Sequence, residues 1–536
     1  MDAPTPRTLP PLFRRALEKY ADRTAVASGE RRLTYGELDA RSAALANALV
    51  GMGVDPEDRV AVLLSNRPAY VVVDLAIVAA GAARLPLNPM LSPSEVRYTL
   101  SDSGASTVVC DAAHLDVLAE VAPSLAASLD VVFVGDDGDE TPHIENASVH
   151  RYDELLAEGA ETPPAVDVEP EDVAGHFYTG GTTGQPKGVV YSQAALAASL
   201  YAHLAELGFD GSDTGLVVTP LSHSAGTFLW ANLLAGATTV IQDGFDVERT
   251  LGAIESRGVT WTFMVPTMVY RLLDAGLDDR DCSSLDRLLY GAAPMRPDRL
   301  REGIEALGSI FFQFYGQTEV PNLVTTLGRQ EHAVAARASA ADGDDRAERL
   351  QSAGQPCLLV DVRIVDPETG EPRPPGEPGE VAVSSPYAFE KYHERPEETA
   401  RTLRDGWVHT GDIGRLDEDG YLYLLDRKRD VIITGGMNVY SHEVEDALGD
   451  HPAIRNVAVF GIPDDDWGEA VHAVVVADSD ALTAADVRAH ADALLADYKK
   501  PKSVAFVDDL PTTAHGKVDK AALRDPYWED ADRSVS

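Results

Sequence analysis

Lysine is nearly missing from this chain, with nine residues among 536. Counting arginine, 45 basic residues face 87 acidic ones, a formal net charge of −42. Such a surface repels itself in dilute buffer. It also lacks the basic face that nucleic acid or an anionic membrane needs, so neither is expected as a partner. At molar salt the Debye length shrinks to about 3 Å and the repulsion is largely screened, so the composition resembles that of halophilic proteins from salt-loaded cytosols. Cysteine is scarce too. Cys110, Cys282 and Cys357 are odd in number and far apart, which points to reduced thiols in a cytoplasm rather than a disulfide framework or a metal site. Long apolar runs are absent: the longest, around Val71 to Ala83, is broken by Asp74 and falls well short of the roughly 20 residues that span a bilayer. The first fifteen residues carry Pro4, Pro6, Pro10 and Pro11 and no continuous apolar segment, so a signal peptide is not expected.

What remains is an ordinary globular composition, 44% hydrophobic and 25% charged, which excludes a disordered or membrane-embedded chain. Single cores stop growing beyond about 250 to 300 residues, so at least two domains are expected. From Val60 to about Phe314, short apolar runs such as VAVLLS and LDVVFVG alternate with longer alanine-rich or amphipathic stretches. That is the rhythm of an α/β protein whose parallel sheets carry crossover helices. Between about Gln355 and Leu425 the chain turns to short strands punctuated by Pro and Gly, which predicts a small barrel or meander. The last hundred residues alternate again, with strands NVAVFGI and AVHAVVVA and a helix from about Thr483 to Ala496, enough to fold alone. The polar segment Gly328 to Ser352 reads as a surface excursion.

The strongest chemical signal is YTGGTTGQPKG, Tyr178 to Gly188, which follows the strand-like VAGHF. Small residues and threonine hydroxyls let backbone N–H groups wrap a polyphosphate closely, and Lys187 adds positive charge. It is not a Walker A loop, because Pro186 precedes the lysine and Gly188 follows it where Ser or Thr should stand. A kinase or P-loop ATPase is therefore disfavoured.

Read with YGQTE (Tyr315 to Glu319), HTGD (His409 to Asp412), DRKRDVIITGGMNVYSHEVE (Asp426 to Glu445) and PTTAHGK (Pro511 to Lys517), this loop resembles the adenylate-forming superfamily of acyl-CoA synthetases, carrier-protein adenylation domains and beetle luciferases. The motifs stand in the family's order and cover almost the whole chain. The resemblance implies an AMP-binding N-terminal domain over residues 1–426, built of doubly wound parallel sheets plus a small β-barrel. A hinge at 427–430 and a small mobile α+β C-terminal domain over 431–536 would follow. It also implies ATP, Mg2+ and coenzyme A as cofactors.

By match to the family's motifs, Thr179, Gly181, Thr182, Thr183, Gly184 and Lys187 hold the ATP phosphates. Thr183 and Glu319 serve magnesium, a hard cation that takes oxygen ligands. Gly291, Ala292, Ala293 and Pro294 lie against adenine, with Tyr315 stacking and Gly316, Gln317 and Thr318 continuing that wall. Asp412 accepts from the ribose hydroxyls and Arg427 reaches the same nucleotide. Lys517 bridges the attacking carboxylate and the α-phosphate, where a fixed cation lowers the barrier to two anions meeting. Asp430 and Arg429 fall at the hinge, after which the small domain of the family swings to admit the pantetheine thiol. Gly435 and Gly436 let backbone line that tunnel, the form seen in CoA ligases.

Five of the nine lysines crowd into the last forty residues, as expected where polyanionic CoA docks. Trp467, Tyr498 and Lys500 match residues that contact CoA in aryl-CoA ligases. Equally open is that the aromatics pack the small domain and the lysines balance local acids. His223, in TPLSHSAG, matches a position beside the acid substrate and the thiol tunnel, where it orients or gates. Four positions depart from the common pattern: Gly180 for serine, Asp426 for glycine, Arg429 for Asp or Lys, and His515 for a small or polar residue. The acid pocket is expected near His223, Phe228, Trp230, Gly291 and Tyr315 to Val320, a largely apolar set that suits a monocarboxylic fatty or aryl acid.

Two alternatives stand beside the ligase. One is an adenylating enzyme that loads a carrier protein, although no carrier domain follows Ser536. The other is a non-catalytic nucleotide-binding relic, which would have no reason to keep Lys187, Glu319, Asp412 and Lys517 together. The expected location is cytoplasmic, and assembly as a homodimer stays open.

Overall fold

The computed structural model describes residues 6–135, 140–179, 186–277, 279–338, 345–428, 430–434, 437–464, 467–479, 481–513 and 517–528. Packing divides them into two compact units. The first comprises Met1–Thr179, Pro186–Asp361 and Val383–Val408, the second Val362–Ala382 and His409–Ser536.

The first unit carries two large sheets. One has eight strands among the described residues, in the order Lys391–Tyr392, Gly188–Ser192, Val173–Tyr178, Ala83–Pro86, Arg59–Leu63, Thr107–Asp111, Leu129–Val134 and Ala147–Arg151. From Val173–Tyr178 outward the neighbours are parallel, while the first three strands join antiparallel. The other sheet has a parallel centre of Phe311–Gln317, Arg287–Gly291, Trp261–Met264, Thr214–Val217, Thr238–Ile241 and Thr24–Ser28. Antiparallel strands, Val320–Leu327 and Arg31–Thr34 among them, flank it. Central strands are buried on both faces, Thr107–Asp111 and Trp261–Met264 along their whole length. This is why they read as short continuous apolar runs rather than alternating ones.

Helices begin where the sequence supplies caps. Thr34 with Glu37 and Ser92 with Glu95 close reciprocal capping boxes, satisfying N–H groups that a first turn leaves open. The apolar run around Val71 forms the helix Pro68–Ala79, buried along most of its length. Asp74 inside it is 2% exposed and pairs with Arg84, whose Nε donates to Oδ1 at 2.6 Å. Trp230 Nε1 donates to the other carboxylate oxygen at 3.2 Å.

The segment expected as a surface excursion is corrected. Arg329–Ala338 is a helix that buries His332, Ala335 and Ala338 on one face. His332 Nε2 lies 2.8 Å from the Tyr290 hydroxyl, and Leu350 joins the same core. Alanine and charged residues gave this amphipathic helix no visible apolar stripe.

The second unit opens on a sheet of short strands. Asp361–Val365 neighbours Gly379–Ser384, which neighbours Trp407–Leu416, and Leu422–Arg427 pairs back on the last of these. A separate sheet follows, with Met437–Val439, Ile432–Thr434, Gly468–Ala477 and Ile454–Asp464 in antiparallel order and Ser503–Phe506 parallel on Gly468–Ala477. Val471, Ala473 and Val475 pack toward Val444, Leu448 and Val487, while Val474 and Val476 pack with Phe460 and Leu510. Both faces of that strand are therefore covered. The predicted helix spans Ala484–Leu494, started by Thr483 and Asp486 in a capping box.

The expected hinge at 427–430 falls inside the second unit, which takes up the chain from His409. A physical link is visible just before it: the Asp426 carboxylate accepts the N–H of Ser441, which opens the helix Ser441–Gly449. Burial raises the Asp426 carboxyl, with nearby Lys520 acting in the opposite direction. The unusual aspartate is thereby accounted for as a clasp within the second unit.

Candidate active site

The YTGGTTGQPKG segment follows the strand Val173–Tyr178 and runs into Gly188–Ser192, two strands of the first unit that pair antiparallel. Thr179 N donates to Lys187 O at 3.0 Å, and Lys187 N lies 3.3 Å from Thr179 Oγ1, which closes the neck of the loop. A strand rather than a helix follows, which distinguishes this loop from a Walker A turn. Gly181, Thr182, Thr183 and Gly184 lie outside the described residues, as do Gly180, Arg429, Gly435, Gly436 and His515.

Lys187 Nζ forms an ion pair with Glu398 at 2.5 Å and stands 4.9 Å from the centre of the Tyr392 ring. The same tyrosine donates its hydroxyl to Glu319 Oε1 at 2.6 Å. Tyr392 is 4% exposed, and burial followed by the charge of Glu319 raises its phenol well above the usual range. It therefore stays protonated and remains a donor. Backbone pairing sets this geometry, because Lys391–Tyr392 pairs with Val189 and Val190 just after Lys187. Neither Tyr392 nor Glu398 stood out in the sequence; the only local sign is a tyrosine within the charged run EKYHERPEE.

Glu319 lies between the strands Phe311–Gln317 and Val320–Leu327. Its carbonyl accepts from Phe389 N at 2.8 Å, and Tyr191 donates to the carbonyl of Thr318. Tyr315, Gly316 and Gln317 run along the first of these strands, with an irregularity in pairing between Tyr315 and Gln317. A Cβ at Gly316 would come 2.6 Å from the backbone of Asn322, so only glycine fits. Asn322 itself adopts φ 62° and its Nδ2 lies 3.1 Å from His203 Nε2. His203 Nδ1 is 2.7 Å from Ser199 O, and burial pushes this histidine down to about 4. It is a neutral acceptor for Asn322, which backs the hairpin.

Gly291 ends the adjacent strand Arg287–Gly291, and a Cβ there would stand 2.5 Å from Phe314 O. Ala292 follows at φ 65°, a left-handed conformation uncommon outside glycine. Past Gly291 the chain presents only the short side chains of alanine and proline, which leaves room for a flat base. Ala293 and Pro294 continue the same exposed stretch.

His223 precedes the helix Ser224–Leu234, and its N–H reaches Pro220 O at 3.2 Å. Phe228, one turn on, is fully buried against Phe263 and Phe314 at ring-centre distances of 5.4 and 5.1 Å. Trp230 departs from the expected pocket. It is 3% exposed, occupied by Asp74 and packed edge-on against Phe13 at 5.2 Å.

In the second unit, Asp412 and Arg427 stand opposite each other on paired strands, and Arg427 Nε meets Asp412 Oδ1 at 2.7 Å. Asp412 is 5% exposed. Its N–H donates to Thr410 Oγ1 at 3.0 Å, and Thr410 in turn donates to Val381 O at 2.8 Å. Glu380, which the sequence did not single out, lies under the same turn. It faces His409 Nδ1 and Lys428 Nζ, each at 3.4 Å.

Lys517 is exposed, on a small hairpin where Thr513 N donates to Lys517 O at 2.7 Å and Thr512 bridges Val518. The other C-terminal lysines are engaged with acids. Lys499 meets Glu443, Lys500 meets Asp497 at 2.6 Å and Asp492 at 3.0 Å, and Lys520 meets Glu445 at 2.7 Å. Tyr498 packs against the small core. Trp467 is 48% exposed with Lys502 Nζ 4.3 Å above its ring. Lys502 also lies 3.8 Å from Asp464, and among the aromatics weighed for CoA Trp467 is the exposed one.

Among the described residues no group of three or more His, Cys, Asp or Glu gathers as a metal cage. A magnesium ion bound with phosphate needs only one or two carboxylates, and the single carboxylate of Glu319 fits that role. No helix among the described residues is long and apolar enough to cross a membrane.

The chain is similar to known proteins over most of its length. Residues 13–393 match the AMP-binding enzyme family and residues 443–517 the AMP-binding enzyme C-terminal domain. The chain is 37% identical to a medium/long-chain-fatty-acid–CoA ligase of Mycobacterium tuberculosis, over 97% of this chain and 90% of that protein. It is 39% identical to a feruloyl-CoA synthase of an Amycolatopsis species, over 96% and 97%. ATP-bound MatB from Rhodopseudomonas palustris superposes with a TM-score of 0.86 at 32% identity, covering 98% of this chain and all of that one. With both matches in chain order and most of the sequence covered, the chain belongs to the AMP-binding enzyme family.

Proposed function

We propose that this protein is an AMP-forming acyl-CoA synthetase. A carboxylate attacks the α-phosphorus of ATP, the bond to the β-phosphate bridging oxygen breaks, and acyl adenylate and pyrophosphate result. The CoA thiol then attacks the acyl carbon, loses its proton, and displaces AMP. The observation that carries this reading is the joint placement of Lys187 and Glu319 about Tyr392, beside the neck of the loop.

In this reading Lys187 and the backbone of the loop hold the phosphates, and Thr179 keeps the loop's neck closed. Glu319 would hold a magnesium ion, which supplies positive charge to the triphosphate. Gly291 to Pro294 and Tyr315 to Thr318 accommodate adenine, while Asp412 accepts from the ribose hydroxyls and Arg427 lies beside them. Lys517 steadies the charge that develops on the α-phosphate. Residues 431–536 are the proposed moving part, with 427–430 its hinge.

Relatives named for medium/long-chain fatty acids and for ferulate support a monocarboxylic acid, fatty or aryl. His223 is proposed to orient the acid. Cys110, Cys282 and Cys357 form no disulfide, which supports a cytoplasmic location.

The test is pyrophosphate release across fatty, aryl and amino acids, with and without CoA. Release that requires a monocarboxylic acid, followed by thioester formation with CoA, is expected. Adenylation that proceeds normally yet yields product only with a carrier protein would overturn the second half of the reading.

A further inference from the structure

A second feature of the first unit is independent of the ligase reading. A cavity of about 260 Å³ opens beside the strands Val173–Tyr178 and Gly188–Ser192, lined by Arg59, His176, Lys391 and His393 together with Glu57 and two valines. Basic residues are rare here, with 45 against 87 acids and only nine lysines. Many of them stand against carboxylates. In this cavity they do not: Arg59 donates Nε to Ser103 O at 2.8 Å, and neither it nor Lys391 forms an ion pair among the described residues. The one carboxylate, Glu57, is engaged with Val173 N at 3.0 Å from a left-handed backbone at φ 68°.

His176 makes the cavity more specific. It is 3% exposed, and its Nδ1 is buried with no hydrogen-bond partner. Leaving a buried polar atom unsatisfied costs about 1 to 3 kcal/mol, so an absent ligand is a natural complement. His393 faces it edge-on with ring centres 5.1 Å apart. Burial first, and then the neighbouring His393, Arg59 and Lys391, push His176 down to about 3. Arg59 and Lys391 are fixed cations, the field an anion would meet. His393 N also donates to Gly188 O at 2.7 Å, which places the cavity wall against the end of the glycine-rich loop.

We infer that Arg59, Lys391, His176 and His393 form an oxyanion subsite, separate from the triphosphate site, that binds a phosphate group. Guanidinium and ammonium supply charge-assisted hydrogen bonds, and the imidazoles supply neutral donors to further oxygens. The volume of about 260 Å³ is many times the roughly 10 to 15 Å³ that one water needs on this measure, room for a phosphate group with water about it. The group can arrive as free phosphate or pyrophosphate, or carried on CoA.

The test titrates inorganic phosphate into the full-length protein without nucleotide, at ionic strength fixed with chloride, reading phosphorus NMR line width and heat. Saturable binding is expected, with Lys391→Gln weakening it about tenfold, the low end of the scale for a hydrogen bond to a charged group. Arg59→Gln should weaken it too, whereas Lys187→Ala should leave phosphate binding intact while weakening ATP. Pyrophosphate that binds more tightly, with CoA insensitive to Lys391→Gln, identifies a free anion as the occupant. CoA binding that phosphate competes away and that Lys391→Gln weakens identifies a carried phosphate. Absence of saturable binding, or binding that Lys187→Ala abolishes and Lys391→Gln leaves unchanged, overturns the proposal.

Discussion

Tyr392 donates its hydroxyl to Glu319 at 2.6 Å while the opposite part of the same side chain lies beneath Lys187. One buried phenol thus fixes the distance between a carboxylate proposed for magnesium and a cation proposed for phosphate. Removing the hydroxyl preserves the ring, so Tyr392→Phe should fold normally. It should leave Glu319 without its anchor and reduce kcat/KM for ATP roughly tenfold to a hundredfold, the range for a hydrogen bond to a charged group of about 1.5 to 3 kcal/mol. The magnesium concentration needed for half-maximal rate should rise with it. Unchanged magnesium dependence would assign Tyr392 to packing alone.

Glu398 occupies Lys187 at 2.5 Å, so an incoming phosphate must displace it. Both side chains are about a third exposed, so the pair itself contributes little to stability. Glu398→Gln should therefore leave Tm nearly unchanged and lower the KM for ATP a few-fold, because competition for the ammonium is removed. A raised KM would show that Glu398 orients Lys187 for the nucleotide.

Much of this arrangement was visible before folding was considered, and some of it could not be. The loop's neighbouring strands were legible because VAGHF is a short run buried across its middle. Asp412 and Arg427 were legible through motif alone, although their pairing rests on a register that turns between Leu416 and Leu422. Tyr392 was not legible, since its position depends on pairing with Val189, about two hundred residues earlier in the chain. Trp230 was misplaced for a related reason. Its partner Asp74 is 156 residues away, and nothing local announces that a tryptophan will satisfy a buried carboxylate rather than line a pocket. The C-terminal lysines showed the limit of counting charges, because Glu443, Glu445, Asp492 and Asp497 meet most of them.

The Asp74–Arg84 pair provides a stability test away from the chemistry. Both side chains are at most 3% exposed, and Arg84 also donates to Leu221 O at 2.9 Å. Burial raises the Asp74 carboxyl while Arg84 works against that rise. Deleting one partner strands a buried charge, so Asp74→Ala should destabilise the first unit by roughly 3 to 5 kcal/mol. Replacing Asp74 with Asn keeps an acceptor for Trp230 and should cost less. Denaturant unfolding of the two variants, followed by tryptophan fluorescence, should give that order; equal losses would mean the charge is immaterial.

Lys517 separates the two half-reactions. Lys517→Ala should abolish acid-dependent pyrophosphate release while a pre-formed acyl adenylate is still converted to thioester by CoA. Because Lys517 is exposed, its removal should not alter Tm. Equal loss of both half-reactions would contradict the proposed role.

Buried histidines set the acid limit of the fold. Burial pushes His203 and His332 down to about 4 and His176 to about 3, whereas an unfolded histidine titrates near 6.5. Between those values the unfolded chain binds protons that the folded chain refuses, so the stability these histidines contribute is fully present above about pH 6.5 and is lost as pH falls toward 4. Tm measured at constant ionic strength should fall between pH 7 and 5, before most carboxylates titrate. His332→Gln removes one of these sites and can still accept from or donate to Tyr290, which lies 2.8 Å away. It should flatten the slope of Tm against pH in that window while lowering Tm only modestly at pH 7.5. A slope identical to that of the parent protein would show that His332 protonates freely in the folded state, despite being fully buried.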